Sequence, residues 1–169
     1  ADARLQFDGR IATTNATTDG NYCMRTGNAA GIPVRTGTMT LTAPENVLSS
    51  SVIDSTNTFA YFGTYTSPGI IVKIQLSDFT RVTALTLNSG ENSLLSAVID
   101  STNGFAYFGT FTSPGIIVKI RLSDFTRVGA ITLASGEDFL FSAVIDSGNT
   151  FAYFGTQTAP GKIVKIQLS

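Results

Sequence analysis

A repeat of 46 residues occupies most of the 169-residue chain. Residues 35–80, 81–126 and 127–169 align without a gap, and the third copy is three residues shorter than the others. Every copy contains Val-Ile-Asp-Ser, Phe-Ala-Tyr-Phe-Gly-Thr, Pro-Gly and a final Ile-Val-Lys-Ile. Repeats of this length form structural units that bury their apolar surface against neighbouring copies. The sequence therefore predicts a repeat domain at residues 35–169, preceded by a non-repeat N-terminal arm at residues 1–34.

Each copy consists of short segments typical of β-strands. In the second copy they are rich in β-branched and aromatic residues and cover residues 81–87, 94–99, 105–110 and 116–122. Loops with Gly, Pro, Asn or Asp separate them, which predicts a four-stranded antiparallel meander. Several strands are apolar on both faces, so we expect each sheet to lie between two others. A sheet of this kind, packed on both sides by copies of itself, is a β-propeller blade.

Each repeat also has a distinctive order of one turn and two strands. An Asp-containing turn, a Tyr-containing strand and then a Val-rich strand, as in residues 98–120, resemble the YVTN-type β-propeller repeats of bacterial and archaeal surface proteins. The resemblance covers residues 35–169 and implies an all-β fold of propeller-type blades. It also implies a role in binding or at the cell surface, without specifying an activity. A β-trefoil is the alternative, because it too has three repeats of four strands.

The limits of the repeat predict how the last blade is completed. The repeat begins with a predicted strand at residues 36–41, and the third copy ends after a strand at residues 162–168, so the last copy lacks the strand that the first copy adds. We therefore expect a clasp in which the first strand completes the last blade. A closed ring usually needs at least four blades, and two chains would supply six.

Composition excludes most catalytic classes. The chain has no His, no Trp and a single Cys, Cys23, so it lacks the commonest general base, the commonest metal ligand and any internal disulfide. With 11 basic and 12 acidic side chains it has no basic surface for nucleic acid. No apolar run approaches the ~18 residues that cross a bilayer. We expect a protein that is not an enzyme and has no metal, no cofactor, no nucleic-acid partner and no membrane span.

Several features favour an extracellular or cell-surface location. Only 14% of the residues are charged. Ala1, Asp2 and Ala3 resemble the residues around a small-residue cleavage site, and Asn15 begins a glycosylation sequon with Thr17. These features are typical of an exported protein.

The candidate ligand- or partner-binding residues lie on loops at one end of the predicted sheets. Alternate loops of a meander share an end, and this end collects one variable loop position and one acid per repeat. The six residues are Tyr65, Phe111, Gln157, Glu45, Glu91 and Glu137. An exposed aromatic ring can stack on a sugar or anchor a protein partner. The glutamates form either an acidic ring at a channel mouth or ordinary solvated loops.

Other repeated polar residues have structural interpretations. We place Asp54, Asp100 and Asp146 at the opposite end, with Arg81 and Arg127, and interpret the aspartates as turn caps rather than calcium ligands. Two further sets are expected to be structural: the lysines, for example by pairing with carboxylates between blades, and the tyrosines, as core or interface rings. They are Lys73, Lys119, Lys165, Tyr61, Tyr107 and Tyr153.

These observations favour a non-enzymatic structural module that associates with itself. The expected product is a surface assembly or filament, formed through blade edges and through an N-terminal arm that adds as a strand to a neighbouring sheet. The alternative is a lectin-like, carbohydrate-binding propeller built from several chains, with glycans or surface proteins as partners.

Overall fold

A computed structural model describes residues 14–16, 22–24 and 33–168. The chain divides into two compact units, residues 1–38 and 39–169. In the first unit, β1 (Thr14–Ala16) pairs antiparallel with β2 (Tyr22–Met24), which sets Asn15 opposite Cys23. The expectation that the N-terminal arm adds to a neighbouring sheet falls mostly on residues outside the described ranges.

The second unit is all-β and consists of three antiparallel sheets, which we call blades 1, 2 and 3. Blade 1 contains β3 (Leu48–Ile53), β4 (Phe59–Thr64), β5 (Ile70–Gln75) and β6 (Thr80–Thr86). Blade 2 contains β7 (Leu94–Asp100), β8 (Phe105–Thr110), β9 (Ile116–Arg121) and β10 (Thr126–Thr132). Blade 3 contains β11 (Leu140–Ile145), β12 (Phe151–Thr156) and β13 (Ile163–Gln167). In each blade the strands lie in chain order, which confirms the predicted meander.

The structural blade is offset from the sequence repeat by one strand. The segment that opens the second and the third repeat is the last strand of the preceding blade: β6 pairs with β5 of blade 1, and β10 pairs with β9 of blade 2. Blade 3 has three strands within the described residues.

The clasp predicted for blade 3 is wrong for this structure. Residues 36–41 form no strand, and no described segment pairs with the outer edge of β13. Met39 and Leu41 instead pack against Val72 and Ile74 on blade 1. This apolar contact holds the end of the segment at the opposite end of the row of blades, so the segment does not complete blade 3.

The core lies between the blades, as expected for strands that are apolar on both faces. One cluster between blades 1 and 2 contains Tyr61, Ile71, Leu94 and Phe108. The matching cluster between blades 2 and 3 contains their equivalents one repeat later, Tyr107, Ile117, Leu140 and Phe154. Separate sheets stacked through such interfaces are propeller blades, and the trefoil alternative is therefore wrong.

A glycine allows each pair of blades to approach closely. A Cβ built on Gly109 would lie 2.9 Å from Leu140 Cβ and 3.1 Å from Phe154 Cδ1, both on blade 3. Gly63 stands in the same relation to Leu94 and Phe108 of blade 2. In the first two copies of Phe-Gly-Thr the space of a glycine side chain is therefore taken by a serine of the same blade and by the leucine of the next blade.

We expect Gly109→Ala to lower the free energy of unfolding by about 1–3 kcal/mol, since an added methyl group forces a well-packed interface apart. Gly129→Ala is the matched control, because a Cβ there meets no atom within 4 Å. That control should leave stability unchanged or slightly raise it. Urea unfolding followed by circular dichroism measures both, and equal stability of the two variants would contradict the role of Gly109.

Candidate functional site

Two of the candidate glutamates are buried and bound to arginines. Glu45 and Glu91 are 8% and 5% exposed. Arg81 Nε donates to both carboxylate oxygens of Glu45, at 3.0 and 2.8 Å, and Arg127 Nε donates to both oxygens of Glu91 at 2.9 Å. An Nη2 group of each arginine makes a further contact to Oε1. Each glutamate lies just before the first strand of its blade, and each arginine lies on the last strand, so the ion pair links the two edges of one blade.

The placement of glutamates and arginines at opposite ends of the sheets is therefore wrong, and so is the acidic ring or solvated loop for Glu45 and Glu91. Strands in a sheet twist by about 20–25° per step, so the last strand of a four-stranded blade crosses the first at roughly 60–75°. This rotation carries the arginine end of the last strand toward the loop that precedes the first. The side-chain hydrogen bond to Glu91 raises the pKa of Arg127, and Glu45 has the same effect on Arg81, so both arginines remain charged.

The glutamate loop also connects neighbouring blades. Glu91 Oε2 accepts the Asn88 N–H at 3.0 Å, and the Glu91 carbonyl oxygen accepts the Gly69 N–H of blade 1 at 2.8 Å. Glu137 repeats both contacts, with the N–H groups of Ala134 at 3.0 Å and Gly115 at 2.9 Å. Its carboxylate is more exposed, and no arginine of the described part of the chain pairs with it.

We expect Arg127→Met to lower the free energy of unfolding by about 2 kcal/mol, because it leaves the buried Glu91 carboxylate without its charged donor. Arg121→Met is the control: Arg121 pairs with Asp124 at 3.0 Å, but both side chains are exposed. Such surface pairs contribute little, so this change should have almost no effect. The same loss in both variants, measured by urea unfolding, would show that burial of the Glu91 pair is unimportant.

The aspartates of the Val-Ile-Asp-Ser segments cap turns. Asp54 accepts the N–H groups of Thr58 at 2.8 Å and Phe59 at 2.9 Å, and Asp146 does the same two blades later with Thr150 and Phe151. Asp100 instead accepts the Asn103 N–H at 3.1 Å. These contacts confirm the turn-cap interpretation, although the bonded N–H groups lie three to five residues on rather than two. Among the described residues no group of three His, Cys, Asp or Glu side chains could hold a metal ion.

The repeated lysines share an aromatic partner. The Nζ atoms of Lys73 and Lys119 lie 3.9 Å above the rings of Phe59 and Phe105, and Lys165 lies 3.7 Å above Phe151. A cation over a ring face is attracted by the ring quadrupole. The lysines thus have the predicted structural role, but through contacts with aromatic rings, which the expected pairing with carboxylates did not include.

The tyrosines beside these lysines are core rings in blades 1 and 2. Tyr61 and Tyr107 are buried, whereas Tyr153 in blade 3 is half-buried. Burial raises the pKa of Tyr61 and of Tyr107 to about 12, with a smaller contribution from the charges of Asp54 and Asp100. Both hydroxyls therefore stay neutral in ordinary buffers, as core groups must.

The variable loop positions lie beside the glutamate loops. The N–H of Phe111 donates to Ser93 O at 2.8 Å, and the N–H of Gln157 donates to Phe139 O at 2.9 Å. Tyr65 makes the same bond to Val47. The structure thus brings the six candidate residues to one end of the blades, with Tyr65 and Gln157 exposed.

Two of these loop positions belong to an aromatic cluster that extends beyond the candidate set. The Phe111 ring lies 6.1 Å from Tyr65, 4.6 Å from Phe139 and 6.5 Å from Phe141, between ring centroids. Sequence reasoning missed Phe139 and Phe141. A signal was present, because the equivalent positions one repeat earlier hold Ser93 and Leu95 rather than aromatic residues.

The two ends of the row of blades expose apolar side chains that are buried inside it. Leu48 of blade 1 is 47% exposed, whereas its equivalents Leu94 and Leu140 are fully buried between blades. On blade 3, Val144 is 63% and Ile163 is 79% exposed. We call the outer surface of blade 1 around Leu48 the front face and that of blade 3 around Val144 and Ile163 the back face. The strands of blade 3 do not pack on those of blade 1 in the way that neighbouring blades pack on each other.

Solved structures with the same kind of blades match this chain. Hydrazine synthase of Kuenenia stuttgartiensis matches 83% of the chain with a TM-score of 0.61 at 9% identity, over 38% of its own length. The WD40 repeats of RRP9 match 64% with a TM-score of 0.55 at 11% identity, over 32% of theirs, and U3-55K matches 72% with a TM-score of 0.56 at 10% identity, over 39%. The fold is that of a β-propeller. The chain spans between 32% and 39% of the length of these propeller-containing chains.

Sequence comparisons give no family. No protein-family model matches the chain, and no curated protein sequence matches it. The propeller blades described in the structure include no helix long and apolar enough to cross a membrane.

Proposed function

We propose that this propeller section is a non-enzymatic structural and interaction module that associates with itself through its front and back faces. The observation that carries the proposal is the exposure of Leu48 and Ile163 at the two ends, because their repeat equivalents are buried in every internal blade interface. Exposed apolar patches mark interaction surfaces. Leu48 and Ile163 belong to repeat positions that are buried wherever a neighbouring blade covers them.

The two faces are complementary because the repeats are nearly identical. The front face of blade 1 presents Leu48 and Phe62, beside Val72, which Met39 and Leu41 cover. The corresponding residues of blade 2 pack against blade 1. The back face of blade 3 presents Tyr153 and Ile163, equivalent to the residues of blade 2 that receive blade 3. A front face of one copy can therefore dock on the back face of another as blade 2 docks on blade 1.

Such an interface joins two different surfaces and is heterologous. It closes into a ring if the rotation between copies returns to the start, and it produces a filament if it does not. Two copies supply six blades, a common number for a closed propeller. Complete burial of an exposed leucine or isoleucine contributes about 1.5–3 kcal/mol, and Leu48, at 47% exposed, would contribute roughly half of that.

The proposed setting is extracellular or at the cell surface. A charged fraction of 14% and the resemblance of the repeats to YVTN-type surface proteins support it. The partners of the chain are then further copies of itself, together with surface proteins or glycans.

We expect the wild-type chain to associate at micromolar concentration, with a solution mass of at least twice 17.8 kDa. Leu48→Asp should return it to 17.8 kDa, because a carboxylate would be buried without a partner in the contact. Val128→Asp is the control, since Val128 is an exposed apolar residue on the last strand of the middle blade. Light scattering with negative-stain imaging checks the masses, and a wild-type chain that stays monomeric would refute the proposal.

The aromatic cluster around Phe111 supports carbohydrate binding as a second candidate function. Exposed rings at a loop end can stack on sugar faces, and Tyr65 and Phe141 are exposed members of this cluster. If the cluster binds carbohydrate, we expect the wild-type chain to bind selectively on a glycan array. Phe111→Gln, which introduces the glutamine found at this position in the third repeat, should lose that binding. Gln157→Ala should bind as the wild type does. An array without selective binding would refute carbohydrate binding by this cluster.

A further inference from the structure

Among the described residues, the ion-pair series leaves one glutamate and one arginine unmatched. Glu45 pairs with Arg81 and Glu91 pairs with Arg127, each across 36 residues of sequence. Glu137 is the third glutamate of the series, and no arginine in the described ranges pairs with it. Arg35 occupies the same repeat position as Arg81 and Arg127, one repeat earlier.

The strands have the same mismatch. Blades 1 and 2 end in β6 and β10, and each of these strands has its arginine as the second residue. Blade 3 ends at β13 within the described residues, and the side chains of Ile163, Lys165 and Gln167 are exposed there. Residues 35–41 are the repeat equivalent of residues 81–87 and 127–133, from the arginine to the final leucine.

We propose that residues 36–41 of a second copy pair with the free edge of β13 as the fourth strand of blade 3, and that the partner's Arg35 binds Glu137. This inference rests on the proposed self-association and names the segment that completes it. In blade 2, Arg127 lies opposite Ile120 and Gly129 opposite Lys119. The same register sets the partner's Arg35 opposite Ile166 and the partner's Gly37 opposite Lys165.

The Glu137 loop is already shaped for this contact. Its carboxylate accepts the Ala134 N–H, as Glu91 accepts the Asn88 N–H in the loop that binds Arg127. One carboxylate oxygen is therefore held in the orientation used by a completed pair. Arginine suits this position because its planar group donates to both oxygens, which the point charge of a lysine does not reproduce.

The leucine that follows the segment already occupies the required place. Leu87 and Leu133 follow the last strands of blades 1 and 2 and pack into the interface with the next blade. Leu41 packs in the same way on the front face of its own blade 1, against Val72 and Ile74. A copy that docks its front face on the back face of another therefore brings the preceding residues 36–40 to the edge of β13.

Opposite charge changes test the ion pair between copies. Arg35→Glu and Glu137→Arg each place like charges at the contact, so each variant alone should associate at least about 30-fold more weakly than the wild type. An equimolar mixture of the two variants should recover association to within a few-fold, because each variant then meets its complement in the other chain. Analytical ultracentrifugation measures the association constants, and circular dichroism verifies that each variant is folded.

Two controls complete the design. Arg121→Glu makes the same charge change at an arginine whose only described pair is the exposed one with Asp124, and it should associate as the wild type does. The double variant Arg35→Glu with Glu137→Arg restores the pair whether it forms within one chain or between two chains. Only the mixture separates these cases.

The outcomes are distinct. Recovery in the mixture supports strand donation by a second copy. Recovery in the double variant but not in the mixture overturns it, because the pair would then form within one chain. If the wild type associates and both single variants associate equally well, the strand inference fails while the proposed function stands. A wild-type chain that is monomeric at every concentration refutes both.

Discussion

The packing of each blade on the next is the interaction on which the structure depends. Leu94 and Leu140 are fully buried where they meet Gly63 and Gly109 of the preceding blade. A blade of four short strands is apolar on both sides, so it cannot bury its own surface and requires a neighbour on each side. Within the described residues only blade 2 has both neighbours. The chemistry of the two ends follows directly, since the front and back faces are halves of an interface that the chain forms twice internally.

The buried ion pairs have a different role from the apolar contacts. The Glu91 carboxylate joins its own loop, the last strand of blade 2 through Arg127, and blade 1 through the adjacent carbonyl oxygen. A charge removed from water in this way is tolerated only when its partners are in place. The pair is therefore satisfied only in a blade that has both its first and its last strand. Glu137, which has the loop contacts without an arginine, belongs to a blade whose last strand is absent among the described residues.

The repeat made the blades predictable, and the three-dimensional twist made the site harder to predict. Strand number, turn caps such as Asp54 and the buried tyrosines follow from the local sequence pattern. That pattern recurs in three copies, so chance residues in one copy do not obscure it. The pairing of Glu45 with Arg81 does not follow from strand order, because it depends on how far a sheet rotates from its first strand to its last. The strand expected at residues 36–41 failed for a related reason: a strand needs a partner edge, and the local sequence does not say which edge lies nearby. The aromatic partner of Lys73 was not predicted, because an aromatic face can attract a cation as a carboxylate does.

The one-strand offset between repeat and blade makes the chain modular. The second and third copies each carry the last strand of one blade and the first three strands of the next, so a duplication or deletion of the middle copy changes the number of blades by one and leaves both ends unaltered. The spacing from each glutamate to its arginine survives the change, as does each glycine opposite its leucine. Unequal recombination within the gene can therefore lengthen or shorten the row of blades without disrupting any interface. The number of copies that close a ring then becomes a property that evolution can alter in single steps.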